Sequence, residues 1–470
     1  MTDDDDRRFA VLFQRFLERS ATLAQQYDQT LTALGEAVSA HLGVDASTLS
    51  VVEESIANHR VADLAVALEA LDPGAQVIGV SGGQHKLFNR FVDMLTQMGV
   101  SFAPAQVDYA VAETGPASTR TVVAFGVRFM HLDGEPLAIL QRTADPQRGV
   151  DSARIEVLAR TPDIATNAIA RITGEMDARS TLRGHVLTIG MGAAGFGQAT
   201  AQFRPRPGVP ADAIVLPDGT LERIRRHVLG VREHADTLRA QGAHLKRGVL
   251  LYGPPGTGKT LTVSHLVGAA EGVTCILLTG PSIAYVSEAA ALARSLQPSM
   301  VVLEDVDLIA HDRDMHTGGS QPLLFAVLDA LEGLDGDADI AFVLTTNRVD
   351  VLEEALAQRP GRVDLAVELP RPTAAERQVL FALAAQSAPF SEAAIRAAAE
   401  RADGVTGSFA KELVRRALLT AAAQARPATD DDLELALFAM LSEAEALSAS
   451  MLGGRGTPPG FDIELSSQYP

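Results

Sequence analysis

The sequence predicts an α/β chain. A five-stranded parallel sheet surrounds a glycine-rich loop, a helical lid follows it, and helical and α+β regions precede it. Three observations carry that prediction. The stretch GPPGTGKT, Gly253 to Thr260, follows the apolar run GVLLY and opens a helical pattern. Five short runs, RGVLLYG, VTCILLTG, SMVVLED, IAFVLTTN and VDLAVEL, are apolar throughout, as strands covered on both faces must be. From about 76 to 205 the runs are β-branched, often alternating, and separated by turn residues.

Taken in order, residues 7 to 40 read as one long helix. Phe9, Phe13, Phe16, Leu23, Tyr27, Leu34 and Val38 recur at helical spacings and form one stripe. The stripe fits either a helix that caps a domain or a coiled coil between subunits. A second helix is expected at about 52 to 71, ending at DPG, and residues 1–75 are taken as a helical region. Residues 76–205 form the α+β domain, with a hairpin at Asp133-Gly134 and one helix after Thr161 to Asp163. The glycines of IGVSGGQHK, Ile78 to Lys86, are read as a plain strand-to-helix turn because they lack the spacing of a phosphate loop. FRPRPGVP, Phe203 to Pro210, is expected to be a linker. The alternating strand-and-helix domain built around that loop occupies 206–370 and the helical lid 371–448. In the lid, Thr373 and Glu376 make a capping box, and Thr429 precedes three aspartates. Residues 449–470 are read as a flexible tail.

Composition sets the outer limits. At 470 residues and 47% hydrophobic, the chain can bury real cores. A formal net charge of -19 argues against a general nucleic-acid binder, which needs a cationic surface to displace counterions. One cysteine, Cys275, allows no internal disulfide and fits a reducing cytosol. The uncharged run Gly184 to Phe203 carries five glycines and several polar residues, so it is read as strand and loop. The expectation is a soluble, cytoplasmic protein.

The phosphate loop matches G-x-x-x-x-G-K-[ST] between a strand and a helix, the context that confirms it. Its glycines let backbone N–H groups wrap phosphates without Cβ clashes. Lys259 is expected to reach the β- and γ-phosphates and Thr260 to offer its hydroxyl to Mg²⁺. Gly253, Pro254, Pro255, Gly256, Thr257, Gly258 and Leu261 complete the loop. Glu304 and Asp305 end the later strand VVLED, Asn347 ends LTTN, and Arg359 and Arg362 flank a Pro-Gly turn.

These motifs resemble the AAA family of ATPases in order and approximate spacing, over about 211 to 448. The resemblance implies an AAA+ P-loop NTPase core that binds ATP and Mg²⁺. It makes Asn347 the sensor-one residue, and Arg359 and Arg362 fingers that act on a neighbour in a homo-oligomeric ring, usually a hexamer. GVTGSFAKEL resembles the sensor-two region, with Gly407 and Ser408 near the adenosine, and VLPDG (Val215 to Gly219) occupies the adenine position. GPSIAYVSEA resembles the segment that family members place in the pore. Tyr285 and Val286 would grip an extended polypeptide there, and a core aromatic is the bland reading. His311 and His316 fall at a second pore loop whose spacing matches no standard zinc site.

The family's usual order is Asp then Glu, and here it is Glu then Asp. By position, Glu304 supports Mg²⁺ through its water shell and Asp305 orients the attacking water. That order and LLFAVLDALEGL resemble the mitochondrial AAA chaperones that translocate the Rieske protein, without their transmembrane helix. The ending QYP weakly resembles actinobacterial proteasomal ATPases, so Tyr469 either docks on a peptidase ring or belongs to an ordinary chain end. The expected function is a ring ATPase that remodels, unfolds or translocates protein substrates. A nucleotide-gated scaffold with slow turnover, or a nucleic-acid motor, are the alternatives.

Overall fold

A computed structural model describes residues 12–16, 18–19, 30–96, 101–191, 199–307, 338–348 and 363–451. The chain divides into two compact units. The first is Met1–Arg206 with Glu271–Val301 and Asp329–Ile340, and the second is Pro207–Ala270 with Val302–Leu328 and Ala341–Pro470. No helix among the described residues is long and apolar enough to cross a membrane.

The first unit holds helices α1 (Ala33–Leu42), α2 (Val61–Leu71), α3 (Phe91–Leu95) and α4 (Pro162–Ala178). Its main sheet contains β1 (Val51–Ile56), β2 (Gln76–Val80), β3 (Pro104–Ala105), β4 (Asp108–Gly115), β5 (Ser118–Leu132), β6 (Glu135–Arg142) and β7 (Ala153–Leu158). The order is β1-β7-β6-β5-β2-β3 with β4 beside β5, antiparallel throughout. Helices cover both faces. Leu137 and Ile139 pack with α2 and α4, while their neighbours Ala138 and Leu140 pack with α1 and α3. Residues 137–140 of β6 therefore read apolar at every position rather than every second one. The β5–β6 hairpin turns at Asp133-Gly134, as the sequence predicts. Between β6 and β7, Arg142 and Glu156 form an ion pair at 2.6 Å with each side chain 1% exposed. Glu156 also accepts the Phe91 N–H, and Arg142 donates to the carbonyls of Leu87 and Asn89. The pair thus satisfies backbone groups at the start of α3 that burial would leave unbonded.

Three expectations change here. The stripe over 7–40 is not one helix in its described part. Leu31 bridges Thr96, and Thr32 caps a new helix by accepting the Gly35 N–H. Leu34 and Val38 then enter this unit's core rather than a coiled-coil seam, while Phe13 and Phe16 on residues 12–16 are exposed. Residues 51–56, expected to be helical, form β1 against β7, so 1–75 is not a separate helical region. VVEESI does not alternate, and its partner lies about a hundred residues on, where local pattern gives no warning.

The third change concerns the five-strand expectation and the boundary at 205. Strand β8 (Val186–Met191) pairs in parallel with β11 (Thr274–Thr279), and β9 (Ala199–Arg204) pairs antiparallel with β8. The sheet strands are therefore not limited to the five apolar runs. The expected linker is also pinned. Phe203 and Arg204 end β9, and the Arg206 guanidinium donates to the carbonyls of Gly184 and Val273, both at 2.9 Å. Helix α8 (Val286–Ser295), the start of β12 (Ser299–Glu304) and residues 338–340 also belong to this unit.

The second unit holds α5 (Thr220–Glu233), α6 (Ala235–Ala240), β10 (Arg247–Tyr252), α7 (Lys259–Ala269), the end of β12, β13 (Ile340–Thr346) and β14 (Leu365–Glu368). Strand β10 lies between β13 and β14, parallel to both. Parallel strands present their carboxyl ends on one edge, where α/β proteins bind ligands. The chain then forms α9 (Ala374–Ala385), α10 (Glu392–Arg401), α11 (Gly407–Ala423) and α12 (Asp430–Met451). Thr373 and Glu376 make the expected capping box on α9. Phe381, Phe390, Leu413, Leu433 and Leu437 form the core of these four helices.

Candidate active site

The loop between β10 and α7 turns on glycines. Gly253, Gly256 and Gly258 have φ of 144°, 78° and 102°, which L side chains rarely adopt. Gly253 has a second reason to lack a side chain, because a Cβ there would stand 2.2 Å from the Leu369 carbonyl oxygen. Lys259, in the first turn of α7, donates its ammonium to the carbonyls of Gly253 at 2.7 Å and Pro254 at 2.8 Å. Burial pushes its pKa down, and the charges of Asp305 and Asp307 pull it back up.

Beside Lys259, the Thr260 hydroxyl lies close enough to the Glu304 carboxylate to favour its charged form. Burial raises the Glu304 pKa, the Thr260 hydroxyl lowers it, and the nearby Asp305 charge raises it further. Its Oε1 is buried without a hydrogen-bond partner. A hydroxyl and a carboxylate with a spare buried oxygen are hard oxygen donors. They suit Mg²⁺, which keeps most of its waters and takes few protein ligands. The residues present fit that cation.

Asp305, one residue past β12, has φ 53°, in the left-handed region. Its N–H donates to Thr345 Oγ1 at 2.9 Å, and its Oδ1 accepts from Asn347 Nδ2 at 3.4 Å. Asp307, 7% exposed, accepts the Thr346 hydroxyl at 2.9 Å and the Asn347 N–H at 3.1 Å on the same Oδ1. The ends of β12 and β13 are thus stitched together, with Asp305 and Asn347 side by side.

Part of this arrangement opens onto one cavity of about 650 Å³. Pro255, Gly256, Thr257, Gly258, Lys259, Thr260 and Leu261 line it together with Asp305 and Asn347. Val215 to Pro217 form part of the wall, as does the start of α11 with Gly407 and Ser408. A Cβ on Gly256 would stand 2.5 Å from Thr406 Oγ1, so the lid rests directly on the loop. The cavity also includes Lys411, Ile214 and Leu380, which the motif reading did not single out. Lys411 follows Gly407 by one helical turn, a spacing that could have found it. Asp307 and Thr345 were not singled out for a role either.

Tyr285 and Val286 belong to the first unit. Tyr285 is half-buried at the start of α8, and Ser287 and Glu288 beside it are exposed. Val286 is 0% exposed, which corrects its assignment as a gripping residue: its side chain anchors α8 in the core. Among the described residues no cluster of three His, Cys, Asp or Glu could hold a metal. Arg359, Arg362, His311, His316 and Tyr469 lie outside the described residues.

Residues 249–371 match the family model described as "ATPase family associated with various cellular activities (AAA)". The chain is 28% identical over 262 residues to the 26S proteasome regulatory subunit 8 homolog of Schizosaccharomyces pombe, covering 50% of this chain and 64% of that protein. The Saccharomyces cerevisiae homolog is 30% identical over the same length and the same shares. ATP-dependent zinc metalloprotease FtsH 1 of Thermomicrobium roseum is 30% identical over 246 residues, 49% of this chain and 37% of that protein. The chain thus spans less than two thirds of the length of these relatives. The phosphate loop, the paired strand ends and this match agree: over residues 249–371 the chain carries a domain of the AAA family of ATPases.

Proposed function

We propose that the chain binds ATP with Mg²⁺ and hydrolyses it, as one subunit of a homo-oligomeric ring, a hexamer, that unfolds or translocates protein substrates in the cytoplasm. The observation that carries the hydrolytic part is the convergence of Lys259, Thr260 and the bonded pair Asp305 and Asn347 on one cavity, with the Glu304 carboxylate near Thr260. Lys259 neutralises phosphate charge, and the loop N–H groups orient the phosphates. Thr260 and Glu304 would hold Mg²⁺, which neutralises charge on the phosphate oxygens when bound. Asp305 is the one of the two carboxylates that touches Asn347, so it is the candidate to accept a proton from an attacking water that Asn347 helps hold.

The ring rests on resemblance. Two relatives are named as a proteasome regulatory subunit and an ATP-dependent zinc metalloprotease, and both names support a protein substrate. Arg359 and Arg362 would then complete a neighbour's site, and Tyr285 would contact the threaded chain. A peptidase ring engaging Tyr469 is the further partner this reading admits. The test is a pair of variants. Asp305→Asn should bind ATP normally and lose ~100-fold or more of hydrolysis, the usual scale for a missing general base. Glu304→Gln should weaken Mg²⁺-dependent binding as well. Hydrolysis by Asp305→Asn at the wild-type rate would refute the assignment, and a wild-type chain that binds ATP without turnover would favour a nucleotide-gated scaffold.

A further inference from the structure

We infer that Thr345 and Asp307 are positioning residues that set the Asp305 carboxylate for its reaction, Thr345 through the Asp305 backbone and Asp307 through Asn347. The inference rests on the hydrolytic reading above. Asp305 leaves the strand in a left-handed conformation, φ 53°, that residues other than Gly, Asn and Asp avoid. Two bonds from β13 hold that turn. The Asp305 N–H donates to Thr345 Oγ1 at 2.9 Å, and the Val306 N–H donates to the Thr345 carbonyl at 3.0 Å. The backbone bond alone would leave the Asp305 N–H without this acceptor and the turn free to rotate. Asp307 works on the other partner. Its single Oδ1 takes both the Thr346 hydroxyl and the Asn347 N–H. The Thr346 hydroxyl in turn accepts the Arg348 N–H at 3.0 Å. That chain of bonds fixes the backbone from which Asn347 reaches Asp305.

The geometry separates positioning from two duller roles. If Thr345 only fills the core, valine should serve as well, since it has the same shape without the hydroxyl. If Asp307 matters only as a charge near Lys259, asparagine should fail, although it keeps the oxygen that both donors use.

The experiment measures phosphate release from Mg-ATP by the full chain, with kcat and KM for each variant and a thermal unfolding midpoint. Thr345→Val should lower kcat by about ten- to a hundredfold at a KM within about twofold of wild type, the pattern of a misplaced catalytic group. Thr345→Ser should stay within about threefold of wild type, because the acceptor oxygen remains. Asp307→Ala should fall about ten- to a hundredfold, while Asp307→Asn should recover to within about threefold. Thr345→Val with wild-type kcat, or Thr345→Ser as slow as Thr345→Val at an unchanged unfolding midpoint, would overturn the role of Thr345. Asp307→Asn as slow as Asp307→Ala would overturn that of Asp307. A wild-type chain that releases no phosphate would overturn the hydrolytic reading and this inference with it.

Discussion

Replacing Gly256 by alanine should detach the lid from the phosphate loop. Gly256 has φ 78°, and its missing Cβ would stand 2.5 Å from Thr406 Oγ1, 2.8 Å from Ser408 Oγ and 3.1 Å from Ser408 Cβ. Two costs add. A left-handed alanine costs about 1 kcal/mol. Overpacking costs roughly 1–3 kcal/mol more. The two hydroxyls can rotate away, but Ser408 Cβ belongs to the first turn of α11, so the helix itself must give. A total of about 2–4 kcal/mol, charged wholly to the closed arrangement, weakens ATP affinity about thirty- to several-hundredfold. Titration of a fluorescent ATP analogue with Mg²⁺ reads this directly. Adding Ser408→Gly removes the two Ser408 contacts and should recover the packing share while leaving the backbone share, with Ser408→Gly alone as the control. Wild-type affinity in Gly256→Ala would refute the reasoning. So would a double variant that recovers nothing.

Two further outcomes follow from titratable groups that burial shifts. Cys275 is fully buried, and burial pushes its thiol up to about 11 despite the nearby Arg206 charge. Ellman's reagent at pH 8 should therefore leave the native chain unlabelled for hours and modify one thiol per chain in urea, and rapid stoichiometric labelling of the native chain would contradict this. His59 is held near pKa 4, mainly by burial and then by the Arg60 charge, with Asp63 opposing, against 6.5 for the free group. The unfolded chain takes up a proton below pH 6.5 that the folded chain refuses, so stability is full above 6.5 and is lost as pH falls toward 4. The loss is at most about 3 kcal/mol. Urea midpoints at pH 7.5 and 5 should converge in His59→Gln, and an unchanged gap would assign the acid sensitivity elsewhere.

The phosphate loop was legible because everything it needs is local: a strand, glycines, a lysine and a helix within about twenty residues of chain. The lid caps were legible for the same reason, since Thr373 and Glu376 are three apart. What escaped was non-local. The bend before Thr32 depends on the carbonyls of Met94 and Leu95, which accept its hydroxyl and N–H. Strand β1 depends on β7, and without that partner its residues 51–56 pass equally for a helix start. Val286 follows an aromatic at the expected place, yet periodicity alone cannot tell the buried side of α8 from the outer one at its first turn. The role of Asp307 was hidden because its two donors lie 39 and 40 residues away.

The order of the two carboxylates can now be argued from the backbone. Glu304 is the last residue of an extended strand, and its longer side chain reaches Thr260 on α7. Asp305 follows with φ 53°, where a short polar side chain is tolerated and a longer one is disfavoured. The same left-handed turn delivers the Asp305 N–H to Thr345 and brings its carboxylate to Asn347. Each carboxylate thus sits where the chain geometry suits its length. Asp305 is a strained residue whose backbone and side chain are both held by the end of the next strand. Strain of this kind persists only where surrounding bonds over-determine it, and here they come from Thr345 and Asn347. The reversed pair is therefore better understood as a fitted arrangement than as a lost one.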